Sequence, residues 1–433
     1  MEAYDTNDVL LARKSETVKV TAGNTAECSI ALKLFASSIL DSGYILWKYS
    51  YTDYTNYFEG FSSISENTDV TSTSISDNSL SFAEDTDGNK YVMTLNYSDS
   101  HYYIKSTSNI TSEISTDDIN LFPFQDSLYY DDSAAVLWAG LYSYDEKEDT
   151  NTICFSKIKE LDSNGITPKY SDFSIHFESG DFCSFAIQGS VLYLSYKQKD
   201  KQKEIYYLQR ATITENADGT FAVSKVGSAK SVSDLGVSGA ITDVAILYDG
   251  TVYVLVSNVG NSSGDSKDSF MYNSYQNNIM YSRGALLKIQ STSSGFEVVD
   301  TLGWTGSSRQ IAPVGIELES SLTAYIPPLS EKSNKFYGPR RFVAIKPKEI
   351  AIADCGANFV MPKNTTDGIK TNGKMFDHNR VVTVSLSSFA INVVTELRNI
   401  KFSDLTFSGS GISGGYINAI GCEYENNDKI EEQ

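Results

Sequence analysis

The chain has 433 residues with 35 basic and 55 acidic side chains, a formal charge of −20, and a field of that sign argues against nucleic acid and anionic membrane surfaces as partners. Hydrophobic residues make up 41%, enough for a packed core, yet no run of about 18 apolar residues is present to span a bilayer. Five cysteines (Cys28, Cys154, Cys183, Cys355, Cys422) stand apart, with no CxxC pair and no histidine at ligand spacing, so the sequence offers no structural zinc site and no cofactor motif.

Residues 1–25 are polar and lack the apolar centre of a secretory signal; residues 1–16 read as a flexible segment and Thr17 to Val20 as a lone strand. From there on, alternating Val, Ile, Leu, Tyr and Phe recur in runs of five to eight, the period-2 pattern of strands. Second strands of hairpins are expected at 44–49, 90–96, 135–142, 191–196, 252–256 and 350–353. Several follow a tight turn, at Asp41-Ser42-Gly43, Asp87-Gly88, Gln188-Gly189 and Asp249-Gly250, where glycine supplies the positive φ that a two-residue hairpin turn requires. Asp218-Gly219 fits the turn between a third and a fourth strand.

Strand, turn, strand returns in the same order at 241–257, 284–302, 341–354 and 380–397, with Arg283 and Arg380 each opening a third strand. Four antiparallel strands, repeated, form the unit of a β-propeller. The expected fold is all-β: one propeller of six, alternatively seven, four-stranded antiparallel blades over residues 17–422, with a disordered acidic tail at 423–433. A seventh blade would draw on 316–326, and one or both of Thr17 to Val20 and 399–407 would complete the first or last blade.

In such a blade the connection from strand two to strand three and the connection between blades emerge on one side. Three long insertions take these routes, at 258–282, 303–340 and 355–379, and insertions of this kind concentrate on a binding face. They carry Phe270, Tyr272, Tyr275, Tyr281, Trp304, Arg309, Tyr337, Arg340 and His378, residue types that anchor interfaces by joining contact area to a directional polar group. These are the candidate partner-binding residues. Six basic side chains between Lys332 and Lys348 outweigh Glu331 and Glu349, a local positive patch suited to an acidic partner. The tyrosines between Tyr49 and Tyr57, with Phe58 and Phe61, could serve as platforms for sugar rings.

No catalytic set emerges. The run 409–415 (GSGISGG) matches both GxGxxG and GxSxG but lacks the following helix and the α/β sheet that those motifs need, and reads as a flexible loop. His101, His176 and His378 lie far apart. Residues 84–89 are rich in oxygen ligands but lack the distal glutamate of a calcium loop. The Ser-x-Asp-x-Gly-x-Thr-Trp box is absent, and no carboxylate pair can be named for the ring axis.

Residues 349–359 (EIAIADCGANF) and 379–386 (NRVVTVSL) resemble the NHL-type propeller repeat, in which an Ala-Asp-x-Gly-Asn-like turn precedes an Arg-starting strand; Ala353, Asp354, Gly356, Asn358 and Arg380 match it, as does Arg283. The resemblance spans about one and a half blades and implies a scaffold family that mainly binds, with a minority of enzymes. In texture the chain also resembles propeller lipoproteins of bacterial envelopes. The expectation is a monomeric, extracytoplasmic, non-catalytic propeller that recognises a protein or peptide through its long loops. The alternatives are a glycan-binding or glycan-cleaving propeller, or a lactonase-like hydrolase.

Overall fold

The structure is a computed structural model that describes residues 2–4, 10–13, 44–50, 55–61, 71–75, 78–85, 89–96, 98–106, 111–114, 121–158, 161, 164–176, 181–200, 203–247, 249–257, 279–281, 284–303, 334–336, 338–345, 348–360, 374–396, 406–408, 411–413 and 421–424. Every regular element among them is a strand.

A small hairpin, β1 (Glu2–Tyr4) with β2 (Leu10–Arg13), precedes the main body, so the segment expected to be flexible holds paired strands. Next come β3 (Tyr44–Ser50), β4 (Thr55–Phe61) and β5 (Thr71–Ile75), then β6 (Asn78–Glu84), β7 (Lys90–Asn96), β8 (His101–Ser106) and β9 (Thr111–Ile114). A third meander comprises β10 (Leu121–Asp131), β11 (Val136–Asp145), β12 (Thr150–Ile158) and β13 (Lys169–His176). The fourth comprises β14 (Asp181–Gln188), β15 (Val191–Asp200), β16 (Lys203–Glu215) and β17 (Phe221–Lys225), with β18 (Lys230–Ser231) beside β16. The fifth is β19 (Ala240–Ile246), β20 (Val252–Ser257), β22 (Gly284–Thr292) and β23 (Gly295–Gly303), with β21 (Ile279–Tyr281) leaving it; the sixth is β24 (Pro339–Ile345), β25 (Glu349–Val360), β26 (Lys374–Ser385) and β27 (Ala390–Glu396). β28 (Thr406–Ser408), β29 (Gly411–Ser413) and β30 (Gly421–Tyr424) end the described chain.

Among the described residues these meanders are here called sheets one to six in chain order. The bridge of Ser171 on β13 to Phe221 on β17 joins the third and fourth into one nine-stranded sheet, and β21 adds a fifth strand to the sixth. Sheet one runs β30-β3-β4-β5. The leading strands of sheets two to six pack side by side around a ring, β6 on β10, β10 on β14, β14 on β19 and β19 on β24, and β24 then meets β3 of sheet one. All six runs expected as second strands occupy that place, including β3, because β30 takes the position before it. Among the described residues the strand beside β3 is therefore 421–424; of 399–407 only 406–407 are described, within β28, and Thr17 to Val20 lies outside the described residues. β30 lies parallel to β3, with Trp47 opposite Gly421, so this sheet departs from the all-antiparallel expectation, and strand structure crosses the boundary drawn at residue 422. The seventh-blade candidate at 316–326 lies outside the described residues.

Alternation explains why these sheets stack. Along β20, Val252, Val254 and Val256 enter the layer shared with sheet four, while Tyr253 and Leu255 enter the layer shared with sheet six. A strand buried on both faces needs an unbroken apolar run, and complete burial of each Val or Leu stabilises by about 1.5–3 kcal/mol. The layer between sheets three and four is aromatic: Phe124 stacks on Phe182 at 5.0 Å and meets Phe185 edge-on at 5.3 Å.

The turns differ slightly from expectation. Leu247 N–H donates to Thr251 O at 2.7 Å and Gly250 N–H to Leu247 O at 2.8 Å, a three-residue loop in which Gly250 takes φ +81. Asn216, Gly219 and Thr220 repeat it. The glycine requirement was read correctly; the loop is one residue longer, with the glycine in the left-handed position that closes a three-residue hairpin. Within the Gly/Ser run, the described residues 411–413 form β29, which pairs antiparallel with β28, Ser408 opposite Gly411.

Candidate functional site

The leading strands of sheets two to six enter the ring from the side of the long connections, whereas β30, parallel to β3, enters from the other. On the long-connection side the first and third insertions meet. The third is not a loop from residue 355 onward: β25 and β26 continue as a paired ribbon, Cys355 opposite Asn379 and Val360 opposite Lys374. The first insertion returns as β21, which pairs with this ribbon, Ile279 opposite Val360 and Tyr281 opposite Asn358. Chain from two adjacent sheets is thus joined beyond the body of the ring.

Of the candidate partner-binding residues, Tyr281 lies on β21, Arg340 on β24 and His378 on β26 opposite Gly356; their side chains lie outside the described ones. Phe270, Tyr272, Tyr275, Trp304, Arg309 and Tyr337 fall outside the described residues altogether. So do Lys332 and Lys346 of the basic patch, while Lys335 Nζ donates to Gly303 O at 2.9 Å, Lys348 is exposed and Arg341 turns inward.

That inward turn belongs to a feature invisible to the strand pattern. The register slips near the start of successive leading strands: between Ser79 and Ser81 on β6, Pro123 and Leu128 on β10, Phe182 and Ser184 on β14, Ile241 and Asp243 on β19, and Pro339 and Arg341 on β24. A bulge re-aims the side chains that follow it. Here Ser81, Ser184, Asp243 and Arg341 are each the first residue paired after the slip, and Asp126 sits within the longer slip of β10.

Four of these converge. Arg341 Nη1 lies 2.5 Å from Asp126 Oδ1, and Ser81 Oγ donates to the same oxygen at 2.5 Å. Asp243 accepts Phe342 N–H at 2.8 Å on Oδ2 and Val244 N–H at 2.8 Å on Oδ1. Both aspartates are 6% exposed. The Asp243 carboxyl is held well above the usual carboxylate range, first by burial and then by the charge of Asp126, against the opposing pull of Arg341 and the Phe342 N–H; the two carboxyls also hydrogen-bond. Nearby, Tyr129 accepts Ile246 N–H at 3.2 Å, and burial pushes its hydroxyl far up, with Asp132, Asp131 and Asp243 adding to the shift.

One guanidinium faces two buried carboxyls, so burial favours keeping a proton on the pair, the direction in which Asp243 is shifted. Two carboxyls in contact are closer than the about 5 Å that separates the pair of a retaining glycosidase. Among the described residues no group of His, Cys, Asp or Glu could hold a metal.

A second feature lies where sheet three meets the long-connection side. Phe122, near the start of β10, pairs with Tyr142 on β11, and their rings stand 5.7 Å apart. Phe122 is 43% exposed, while Tyr142 is buried beneath it. Tyr144, two residues further along, lies on the same face of β11, and its hydroxyl donates to Asp149 Oδ1 at 3.2 Å. Desolvation, then the hydrogen bond to Asp149, hold its pKa above the ordinary phenol value, so the hydroxyl keeps its proton more tightly. Asp149 belongs to the connection from β11 to β12, fixed by Lys147 N–H donating to Asp145 Oδ1 at 2.9 Å.

The ring of all-β sheets defines a β-propeller protein. Residues 229–405, less than half of the chain, match the family model of the TdpA C-terminal domain. That stretch includes the residues that carry the NHL-like pattern, and the match is to this domain rather than to an NHL repeat. No protein of curated function matches the chain. Solved structures similar to it include an endo-1,4-beta-xylanase from Bacteroides thetaiotaomicron, 12% identical at TM-score 0.27 over 60% of this chain and 94% of that one. Others are a Penicillium chrysogenum alpha-L-arabinanase complexed with arabinobiose, 12% identical at 0.32 over 74% and 94%, and a sucrose-6-phosphate hydrolase from Lactobacillus gasseri, 9% identical at 0.31 over 83% and 89%. At these scores the likeness carries no argument about activity.

Proposed function

We propose that the chain is a glycan-binding propeller that engages its ligand on the long-connection side, in an extracytoplasmic setting. The observation that supports this most is Phe122, exposed over Tyr142 and beside the Tyr144 and Asp149 pair. The face of an aromatic ring is electronegative and attracts the weakly positive C–H face of a sugar, while carboxylates accept its hydroxyl protons. A neutral ligand also suits a chain of charge −20, which repels polyanions. The test is a titration of the protein with neutral oligosaccharides built from pentoses, hexoses and N-acetylhexosamines, with unrelated peptides in parallel. Saturable binding of a sugar supports the reading; capture of peptides alone returns the long-loop protein-binding expectation to first place.

A second reading, glycan cleavage at the axis, draws on the Asp243 carboxyl, whose hold on its proton is raised by burial and by the charge of Asp126, the direction an acid catalyst needs. Against it stand the contact between the two carboxyls and their burial. Release of reducing sugar by the parent protein and its loss in Asp243→Asn would favour cleavage over binding.

A further inference from the structure

Among the described residues of sheet three, Trp138, Asn151 and Ser156 keep a buried polar side-chain atom without a hydrogen-bond partner, and Asn151 is the one at the long-connection end. It is 1% exposed, and its Nδ2 donates to no partner among the described residues. A buried amide without a partner costs about 1–3 kcal/mol, so a structure keeps one where something else completes it. Register places this amide. Asn151 on β12 pairs with Tyr144 on β11 and with Ile175 on β13, and paired residues share a face of the sheet. Phe155, Ile153 and Ile175 mark that face as the one turned toward sheet four. Phe122 and Tyr142 stand on the same face.

We propose that Phe122, Tyr144 and Asn151 form one sugar-sized subsite at the long-connection edge between sheets three and four, in which the Asn151 amide donates to an acceptor oxygen of the bound sugar. The inference rests on the glycan-binding reading and specifies its ligand: a neutral pyranose or furanose ring with one apolar face, and a hydroxyl or N-acetyl oxygen directed inward. Phe122 supplies the stacking surface. Asp149, already holding the Tyr144 hydroxyl, presents its carboxylate to outward-facing hydroxyls. The sheet-four wall is fixed, since Phe182 packs edge-on to Tyr142 at 5.5 Å and Tyr196 stacks on Tyr207 at 5.6 Å.

A structural asparagine and a ligand-binding one behave in opposite ways when shortened. Removal of a donor that has no protein partner leaves the free protein near its original stability, whereas loss of a ligand hydrogen bond weakens affinity about tenfold. The experiment is calorimetric titration of the full chain and of Asn151→Ala with the best oligosaccharide from the panel, together with urea unfolding of both. Affinity lowered about tenfold at unchanged stability is the expected result; unchanged affinity overturns the subsite. Phe122→Ala, at an exposed position, provides a second reading should Asn151→Ala fail to fold: it too must weaken binding about tenfold, and normal binding overturns the proposal. Absence of sugar binding by the parent protein overturns the glycan reading itself, whereas sugar binding that neither substitution alters overturns this site alone.

Discussion

Arg341 on β24 reaches Asp126 on β10 at 2.5 Å, although the leading strands β14 and β19 lie between their sheets around the ring. The contact spans the interior of the ring, and through Ser81 and Asp243 it gathers four sheets. Arg341→Met should therefore lower stability by about 3–5 kcal/mol, because removal of one partner strands a buried charge. Adding Asp126→Asn and Asp243→Asn to that variant should recover much of the loss. Urea unfolding of the series checks both statements, and a single substitution that costs nothing would remove the ion pair from the account of the ring.

Asp243 gives stability a pH dependence of definite sign. Its folded carboxyl binds a proton more tightly than in the unfolded chain, so above the ordinary aspartate value, near about 4, the native state holds the extra proton. Stability then falls as pH rises through that value toward the raised one, and levels off beyond it. Asp243→Asn should flatten this decline in a series of urea midpoints against pH. An unaltered slope would mean that another group sets it.

Two tyrosines act at the alkaline end. Burial pushes Tyr196 up to about 12, with Tyr207 adding to the shift, and Tyr253 up to about 12, with the Asp249 charge adding. Both phenols remain neutral in the folded protein while those of the unfolded chain ionise near about 10, so stability should decline from about pH 10 upward. Ultraviolet titration should show a late-ionising group of tyrosines that shrinks in Tyr253→Phe.

Gly140 tests the aromatic layer. A Cβ at this position would come within 2.6 Å of the Phe185 ring, which is itself held by Phe124 and Phe155. Gly140→Val should cost at least about 1–3 kcal/mol by overpacking, measured as a lower urea midpoint with an unchanged slope.

How much of this was legible in the sequence follows from which strands keep a regular period. Second strands such as β20 and β25 are apolar on both faces and unbroken, so their positions could be read directly. Leading strands carry a slip that interrupts alternation, and the polar residues that follow look like strand ends. Their signal was nevertheless present as a repeat, Ser81-Phe82-Ala83, Ser184-Phe185-Ala186, Asp243-Val244-Ala245 and, with one residue more, Arg341-Phe342-Val343-Ala344. The closing strand was hidden because 421–424 is short and adjoins an acidic run that resembles a tail. Phe122, Tyr144 and Asn151 could not be grouped, since only the pairing register of β10, β11 and β12 brings them to one face.

The central claim is recognition of a neutral sugar on the long-connection side, and the most direct measurement is oligosaccharide titration of the parent protein, Phe122→Ala and Tyr170→Ala side by side. Tyr170 is a comparably exposed aromatic, 39% against 43%, but it stands near the start of β13, at the opposite end of the same sheet. The account predicts saturable binding by the parent and Tyr170→Ala, with affinity about tenfold weaker in Phe122→Ala. Equal binding by all three proteins, or binding lost in Tyr170→Ala alone, would contradict it.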